Sequence, residues 1–346
     1  MSLNYKSAGV NIDAGNEVVA RIKDEVKATF SPAVLTGIGS FGSFFDLSDL
    51  LTGYKNPVLV QSIDGVGTKM IVARKLGKFD TIGHDLVSAC VNDIIVHGAR
   101  PLTFLDYIAN DRLNPDIVAE IVGGMAKACR GIGVSLVGGE TAEMPDTYRR
   151  GELDLVGVVT GVVDKDKIVN GAGICPGDKI IGVNSSGLHT NGYSLARKLF
   201  FDVGGYAAAD FHPRLNETVG AALLKPHINY TGLVMGVLDA GIAVKGMAHI
   251  TGGGLPENLP RILPENCQAV IRKSAWEVPE IFNTMQQIGE IPDHEMYRTF
   301  NMGIGLVFVV TPEFAQTLQT FIADNSDLRS FDLGSIQEGS PGVEFS

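Results

Sequence analysis

The sequence predicts a mixed α/β (α+β) protein of two domains. Three observations carry that expectation. Strand-like and helix-like patterns alternate along the whole 346-residue chain. A charged break, Asp164-Lys165-Asp166-Lys167, interrupts them near the middle and divides the chain into 1–166 and 167–346. Hydrophobic residues make up 45%, enough to bury a core in each half.

The first half opens with a helical pattern, Glu17 to Thr29, followed by the Gly-rich "GIGSFGSFFD". A strand at 57–64 runs into a helix at about 67–77. Thr81 is placed to cap the next helix, which runs to about His97. "PLTFLDY" is a strand, Pro115 opens a helix ending near Arg130, and "GVSLVGGE" and "LDLVGVVTGVV" are strands. In the second half "GDKIIGVNSSG" is a strand entering a polar loop, with a helix from about Gly192. Two helical patterns lead to the strand "VKGMAHI" and the loop "TGGGLPEN". "CQAVIRK" and "GIGLVFVV" are strands before a closing helix–strand pair.

With 28 basic against 39 acidic residues the net charge is −11, which makes the chain a poor general nucleic-acid binder, since phosphate contacts need clustered Lys and Arg, and no nucleic-acid partner is expected. The four cysteines are scattered, without a C-x-x-C pair, as expected of reduced thiols in the cytoplasm. Met1-Ser2-Leu3-Asn4-Tyr5-Lys6 holds no apolar signal core. The longest apolar run, Met302–Val310, is too short to cross a bilayer and reads as a buried strand, so no membrane partner is expected.

Three first-half strands end in a carboxylate: Asp64, Asp106 and Glu140. Carboxylates at strand ends suit Mg²⁺, which takes oxygen ligands and bridges phosphates. On the helix after Thr81, Ile82, Leu86, Cys90 and Ile94 form a buried stripe, with Asp85, Ala89, Asp93 and His97 beside it. A carboxylate there needs a partner, a cation for Asp93 and a salt bridge or solvent for Asp85. Lys69 falls in a helix's first turn, against the dipole, a conflict that a nearby anion resolves. "GIGSFG" matches G-x-G-x-x-G literally, but no βαβ unit frames it. It reads as a mobile flap rather than a dinucleotide site. In the second half "NSSGLHTNG" and "HITGGGLPEN" each follow a strand and open a helix. They bring His189 with Asn191, and His249 with Thr251, to anion-binding loops, with substrate contact or proton handling favoured over zinc. Residues alone thus predict ATP-dependent phosphoryl transfer or ligation without a P-loop.

The blocks "SIDGVGTK", "IGHDLVSACVNDI", "LVGGETAEMPDTY", "NSSGLHTNGYSLAR", "HITGGGLPENLPRILP" and "HEMYRTFNMGIG" resemble, in order, the phosphoribosylformylglycinamidine cyclo-ligase (AIR synthetase) family of purine biosynthesis. The resemblance implies an N-terminal ATP/Mg-binding domain that pairs into a β-barrel across a homodimer, and a C-terminal substrate domain. It implies ATP-dependent ring closure of formylglycinamidine ribonucleotide to aminoimidazole ribonucleotide. It assigns Asp64, Asp93 and Glu140 to Mg²⁺, and Lys27, Gly39, Gly42, Gly65 and Thr68 with those carboxylates to the nucleotide. Ser62, His189, Asn191, His249, Thr251, Gly252 and Gly253 fall to the ribonucleotide, and His189, Asn191 and Lys69 to catalysis. Selenophosphate synthetase and thiamine-phosphate kinase are related alternatives. The former uses a reactive Cys near the N-terminal Gly loop, whereas the first cysteine here is Cys90, inside a buried helix. A nucleotide-holding regulatory subunit is the non-enzymatic alternative.

Overall fold

A computed structural model describes Tyr5 and residues 9–346. Apart from Tyr5, the opening hexapeptide that was read for a signal core lies outside the described residues. The chain forms two compact units, one up to Ile94 with Arg100–Asp166, the other Ile95–Ala99 with Lys167–Ser346.

The first unit contains α1 (Ile12–Lys27), β1 (Pro57–Gly65), α2 (Lys69–Leu76), α3 (Ile82–Ile95), β2 (Arg100–Asn110), α4 (Pro115–Gly131), β3 (Ser135–Glu143) and β4 (Leu153–Asp164). Its sheet has the order β1-β4-β2-β3. β2 and β3 are parallel and β4 runs antiparallel to both β1 and β2, so β1, β2 and β3 point the same way. Helix α3 lies on one face because β4 has glycine where the helix ridge arrives. A Cβ at Gly157 would stand 2.4 Å from Phe104 Cζ and 3.0 Å from both Cys90 Sγ and Leu86 Cγ. One at Gly161 would stand 2.7 Å from Ile94 Cδ1. The Leu86-Cys90-Ile94 stripe therefore seats directly on the strand.

Element ends differ from the sequence reading where tertiary partners decide them. Helix α1 begins five residues before Glu17, and its leading Asn11 N–H is held by the Glu143 carboxylate. β2 and β3 run past Asp106 and Glu140 because Ile108, Ala109 and Asn110 continue to pair with Thr141, Ala142 and Glu143. Thr81 lends its carbonyl to Asp85 N–H, but its buried hydroxyl makes no hydrogen bond, so the expected side-chain cap is absent. Asn114 does cap α4, accepting from Asp116 N–H at 3.0 Å, with Pro115 in the first turn.

The second unit contains β5 (Lys179–Asn184), α5 (Tyr193–Arg197), the short pair β6 (Phe211–His212) and β7 (Glu217–Thr218), α6 (Val219–Leu223), α7 (Thr231–Asp239) and β8 (Gly246–His249). It continues with α8 (Gly254–Asn258), β9 (Cys267–Ile271), α9 (Glu280–Gly289), α10 (Asp293–Thr299), β10 (Ile304–Val310), α11 (Pro312–Asn325), β11 (Ser330–Glu338) and β12 (Val343–Phe345). Its six strands are ordered β12-β9-β11-β5-β10-β8, antiparallel except for β12 with β9. All seven β10 residues are buried, as their unbroken apolar run predicts. No helix among the described residues is long and apolar enough to cross a membrane.

Candidate functional site

In the first unit, register places two of the three strand carboxylates, Asp64 and Asp106, in one row. Asp64 pairs with Gly157, Gly157 with Asp106, and Asp106 with Gly139, which precedes Glu140. Ser62 shares the Asp64 face of β1, and its hydroxyl donates to Asp93 Oδ2 at 3.3 Å. The row thus gathers Asp64, Ser62 and Asp93 on one side and Asp106 on the other. The Asp106 side chain lies over bare Gly139, where a Cβ would approach Oδ1 to 2.3 Å. Loss of water pushes its carboxyl up to about 7. Asp106 and Glu140 line a cavity of about 290 Å³ walled by α1 residues Gly15, Val18 and Ile22. A second hollow joins Lys23 and Lys27 of α1 to the Gly-rich segment at Leu35–Ile38. That segment is an exposed loop closed by Leu35 N–H to Phe44 O at 2.9 Å, with Gly39 at φ +98°. No βαβ unit frames it, in keeping with the rejected dinucleotide motif.

The carboxylates expected to share one metal do not converge. Among the described residues the one cluster of three potential metal-binding side chains is of histidines. Glu140, on β3, stands three strands from Asp64 on β1. A three-carboxylate cage of Asp64, Asp93 and Glu140 is therefore not formed by the protein alone.

Lys69 differs in a second way. It opens α2 in the dipole-disfavoured position, and an anion does resolve the conflict, but that anion is Asp85. Nζ lies 2.7 Å from Asp85 Oδ2 and both side chains are 0% exposed. Burial lowers the Lys69 pKa, and the Asp85 charge draws it back up. In this conformation Lys69 is an internal counter-ion rather than a solvent-facing anion ligand. The turn before it, through Gly67 and Thr68, faces a hollow shared with Arg74, Tyr148 and Asp154. The Cys90 thiol donates to the Gly157 carbonyl at 3.3 Å, and burial pushes its pKa up, as suits a packing residue and not a nucleophile.

In the second unit the two Gly-rich loops converge. A Cβ on Gly252 would stand 3.4 Å from Asn191 Oδ1. Both loops press on the stretch Tyr297–Asn301. Gly192 would place a Cβ 2.3 Å from Phe300 Cε1, and Gly254 one 1.9 Å from the Tyr297 carbonyl. Asn301 Nδ2 donates to the Gly187 carbonyl at 2.9 Å, and Asn258 Nδ2 to the carbonyls of Gly252 and Gly254 at 3.1 and 2.8 Å. These amides fix the loop backbones.

His189 takes a left-handed backbone, φ +61°, and is buried. Its Nε2 accepts from Ser186 N–H at 3.3 Å, which assigns the proton of the neutral ring to Nδ1. Its ring stacks on His227 with centroids 4.1 Å apart. His227 Nε2 faces His249 Nε2 at 3.0 Å, and its Nδ1 lies 3.3 Å from Thr190 Oγ1. Gly305 makes room, since a Cβ there would stand 2.0 Å from Tyr230 Oη and 2.6 Å from His189 Cε1.

The structure thus brings together Ser62, Asp64 and Asp93 in the first unit, and His189, Asn191, His249 and Gly252 in the second. His227 escaped the sequence reading as a site candidate. It follows Pro226 in an apolar stretch, outside either Gly-rich loop, and its spacing carries no motif. Asp106 was visible as a strand carboxylate, but its register beside Gly157 was not.

Residues 50–163 match the family described as AIR synthase related protein, N-terminal domain, and residues 175–343 its C-terminal domain. The chain is 53% identical over 306 residues to the phosphoribosylformylglycinamidine cyclo-ligase of Trichlorobacter lovleyi, covering 88% of this chain and 87% of that one. It is 47% identical to the enzyme of that name from Desulfitobacterium hafniense, covering 100% of both. Among solved structures, thiamine-monophosphate kinase from Stenotrophomonas maltophilia matches with a TM-score of 0.70 at 19% identity, covering 94% of this chain and 96% of that one. Hydrogenase maturation protein HypE in complex with ATP matches with a TM-score of 0.68 at 18% identity, covering 96% and 91%. At such identities these two structures speak for the fold alone. The near-full-length relatives and both family domains show that the chain belongs to the phosphoribosylformylglycinamidine cyclo-ligase family, built from the paired AIR-synthase domains.

Proposed function

We propose that the chain closes the imidazole ring of formylglycinamidine ribonucleotide at the expense of ATP, giving aminoimidazole ribonucleotide, ADP and phosphate in purine biosynthesis. The observation that carries this reading is identity of about half the residues, over nearly the whole length, to enzymes named for that reaction. Chemistry explains the nucleotide. The γ-phosphoryl group passes to the formyl oxygen and ADP leaves. The ribosyl-bearing nitrogen then attacks the formyl carbon and loses its proton, and the oxygen departs within phosphate, a far better leaving group than hydroxide.

The first unit supplies the nucleotide half. Lys27 and the Gly39–Gly42 loop contact the nucleotide, and the backbone N–H groups of Gly65 and Thr68 receive phosphate oxygens. Asp64 and Asp93 are the pair assigned to Mg²⁺. The fit rests on their hard oxygen donors, gathered around Ser62 without a complete protein cage, because Mg²⁺ is commonly held by one or two carboxylates plus phosphates. Held by Asp64 and Asp93, Mg²⁺ would supply charge neutralisation for the phosphates. Glu140 serves the nucleotide from the cavity under α1.

The second unit supplies the ribonucleotide half. Asn191, Thr251, Gly252 and Gly253 bind the substrate's anionic and polar groups. His189, a neutral donor at Nδ1, steadies the formyl oxygen and carries the proton released on closure. We place the enzyme in the cytoplasm, in keeping with its free cysteines.

A homodimer completes the reading. The sheet face away from α3 presents Leu59 and Ile63 of β1 at 59% and 68% exposure and Leu105 of β2 at 41%. Ile63, Val158 and Leu105 stand in one register row, a self-complementary apolar surface for a second copy.

The test is product identification after incubating the chain with ATP, Mg²⁺ and formylglycinamidine ribonucleotide. Equimolar aminoimidazole ribonucleotide, ADP and phosphate are expected. A phosphorylated product, or ATP hydrolysis without ring closure, would overturn the assignment.

A further inference from the structure

We propose that His189, His227 and His249 form a binding site for a transition-metal ion of the Zn²⁺ class, separate from the Mg²⁺ assigned to the carboxylates. One nitrogen from each ring lies within 4.8 Å of the others, and all three side chains are buried. Zn²⁺ binds imidazole nitrogen at about 2.0–2.1 Å, which sets ligand nitrogens roughly 3.4 Å apart in a tetrahedron. The His227 and His249 Nε2 atoms already stand 3.0 Å apart. Two neutral imidazoles at that separation share one proton between facing nitrogens. A metal ion takes that proton's place after the rings part by a few tenths of an ångström, and the proton moves to the Nδ1 of the ring that carried it, so both ligands stay neutral. His189, stacked on His227 at 4.1 Å, supplies the third nitrogen by turning its ring, which gives up its 3.3 Å contact with Ser186 N–H among others.

The surroundings support ligation. Thr190 Oγ1 lies 3.3 Å from His227 Nδ1, where it accepts the Nδ1 proton and holds the tautomer whose Nε2 is a metal ligand. Gly305 leaves the space beside His189 Cε1 unfilled. The donor set is three uncharged nitrogens with no carboxylate, which selects Zn²⁺, Co²⁺ or Ni²⁺ over Mg²⁺. His189 and His249 also belong to the proposed ribonucleotide set, so the test reads metal directly and does not depend on turnover.

The probe is Co²⁺, added to the tag-free chain after chelator treatment. The expected result is one Co²⁺ per chain with visible tetrahedral bands of nitrogen ligation and no displacement by excess Mg²⁺. His227→Gln, checked for folding by circular dichroism, should abolish the bands. Thr190→Val keeps all three imidazoles and should weaken binding by about 10-fold or more, which serves if the first variant fails to fold. Absence of the bands in the wild-type chain overturns the proposal. So does a spectrum unchanged by either variant, or one dominated by thiolate charge transfer, which would report the exposed Cys175 instead.

Discussion

The carboxyl of Asp106 is the residue whose environment makes the sharpest demand on solution behaviour. Its folded-state pKa, about 7, lies above the ordinary value of 3.8. The folded state therefore holds a proton that the unfolded chain releases. Its contribution to stability is complete below the unfolded value and is lost as pH rises to about 7. Asp106→Asn should accordingly melt several degrees above wild type at about pH 8, with the difference closing below about pH 4. Parallel melting curves at all pH values would refute the shift. His189 makes the kinetic counterpart. His189→Ala should lower kcat and kcat/KM together by roughly 10²-fold, the usual scale of lost acid–base help. A lower melting temperature with kcat within about threefold of wild type would return it to a structural role. Asp93→Asn should cost about tenfold or more in kcat or in Mg–ATP affinity, and near-normal turnover at saturating Mg²⁺ would remove Asp93 from the cation. At this scale the sequence spoke unevenly. The dipole conflict at Lys69 announced an anion, but whether that anion was a ligand or Asp85 depended on a contact between two helices. His227 was silent because a histidine after proline in an apolar stretch looks like any core residue until the fold sets it against His249.

At the scale of elements, the α3 stripe and the glycines of β4 are two halves of one packing solution. Leu86, Cys90 and Ile94 were legible as a buried face from their spacing alone. Their reciprocal, Gly157 and Gly161, was not, because a glycine in a strand does not say what approaches it. Gly157→Val should cost about 1–3 kcal/mol by overpacking against Phe104, Cys90 and Leu86. It should also impair turnover by disturbing the Asp64–Gly157–Asp106 row. Gly173→Ala, with open space around it, should leave both unchanged. Denaturant midpoints and steady-state rates of the two variants check this; an unperturbed Gly157→Val would refute the packing argument. Strands were easier to locate than to end. Asp106 and Glu140 looked terminal because a carboxylate closes each apolar run, yet the β2–β3 ladder continues to Asn110 and Glu143, since backbone pairing is set by the neighbour and not by the side chain.

At the scale of the whole molecule, alternation of patterns revealed the mixed α/β class, but not that β4 would insert antiparallel between β1 and β2. That insertion lets the like-directed strands β1 and β2 carry Asp64 and Asp106 to one end of the α3 face, while Leu59, Ile63 and Leu105 stand exposed on the other. The exposed row at Ile63 and Leu105 predicts a dimer at micromolar concentration. Ile63→Lys should release a monomer by placing a charge in the apolar contact. Light scattering checks both, and a wild-type mass of 36.8 kDa rather than twice that would contradict the dimer. The central claim is that ATP activates the formyl oxygen as a leaving group. It is tested most directly by labelling that oxygen with its heavy isotope and following the label by mass spectrometry. The account predicts its quantitative transfer to inorganic phosphate as the ring closes; label released into water, with unlabelled phosphate, would contradict it.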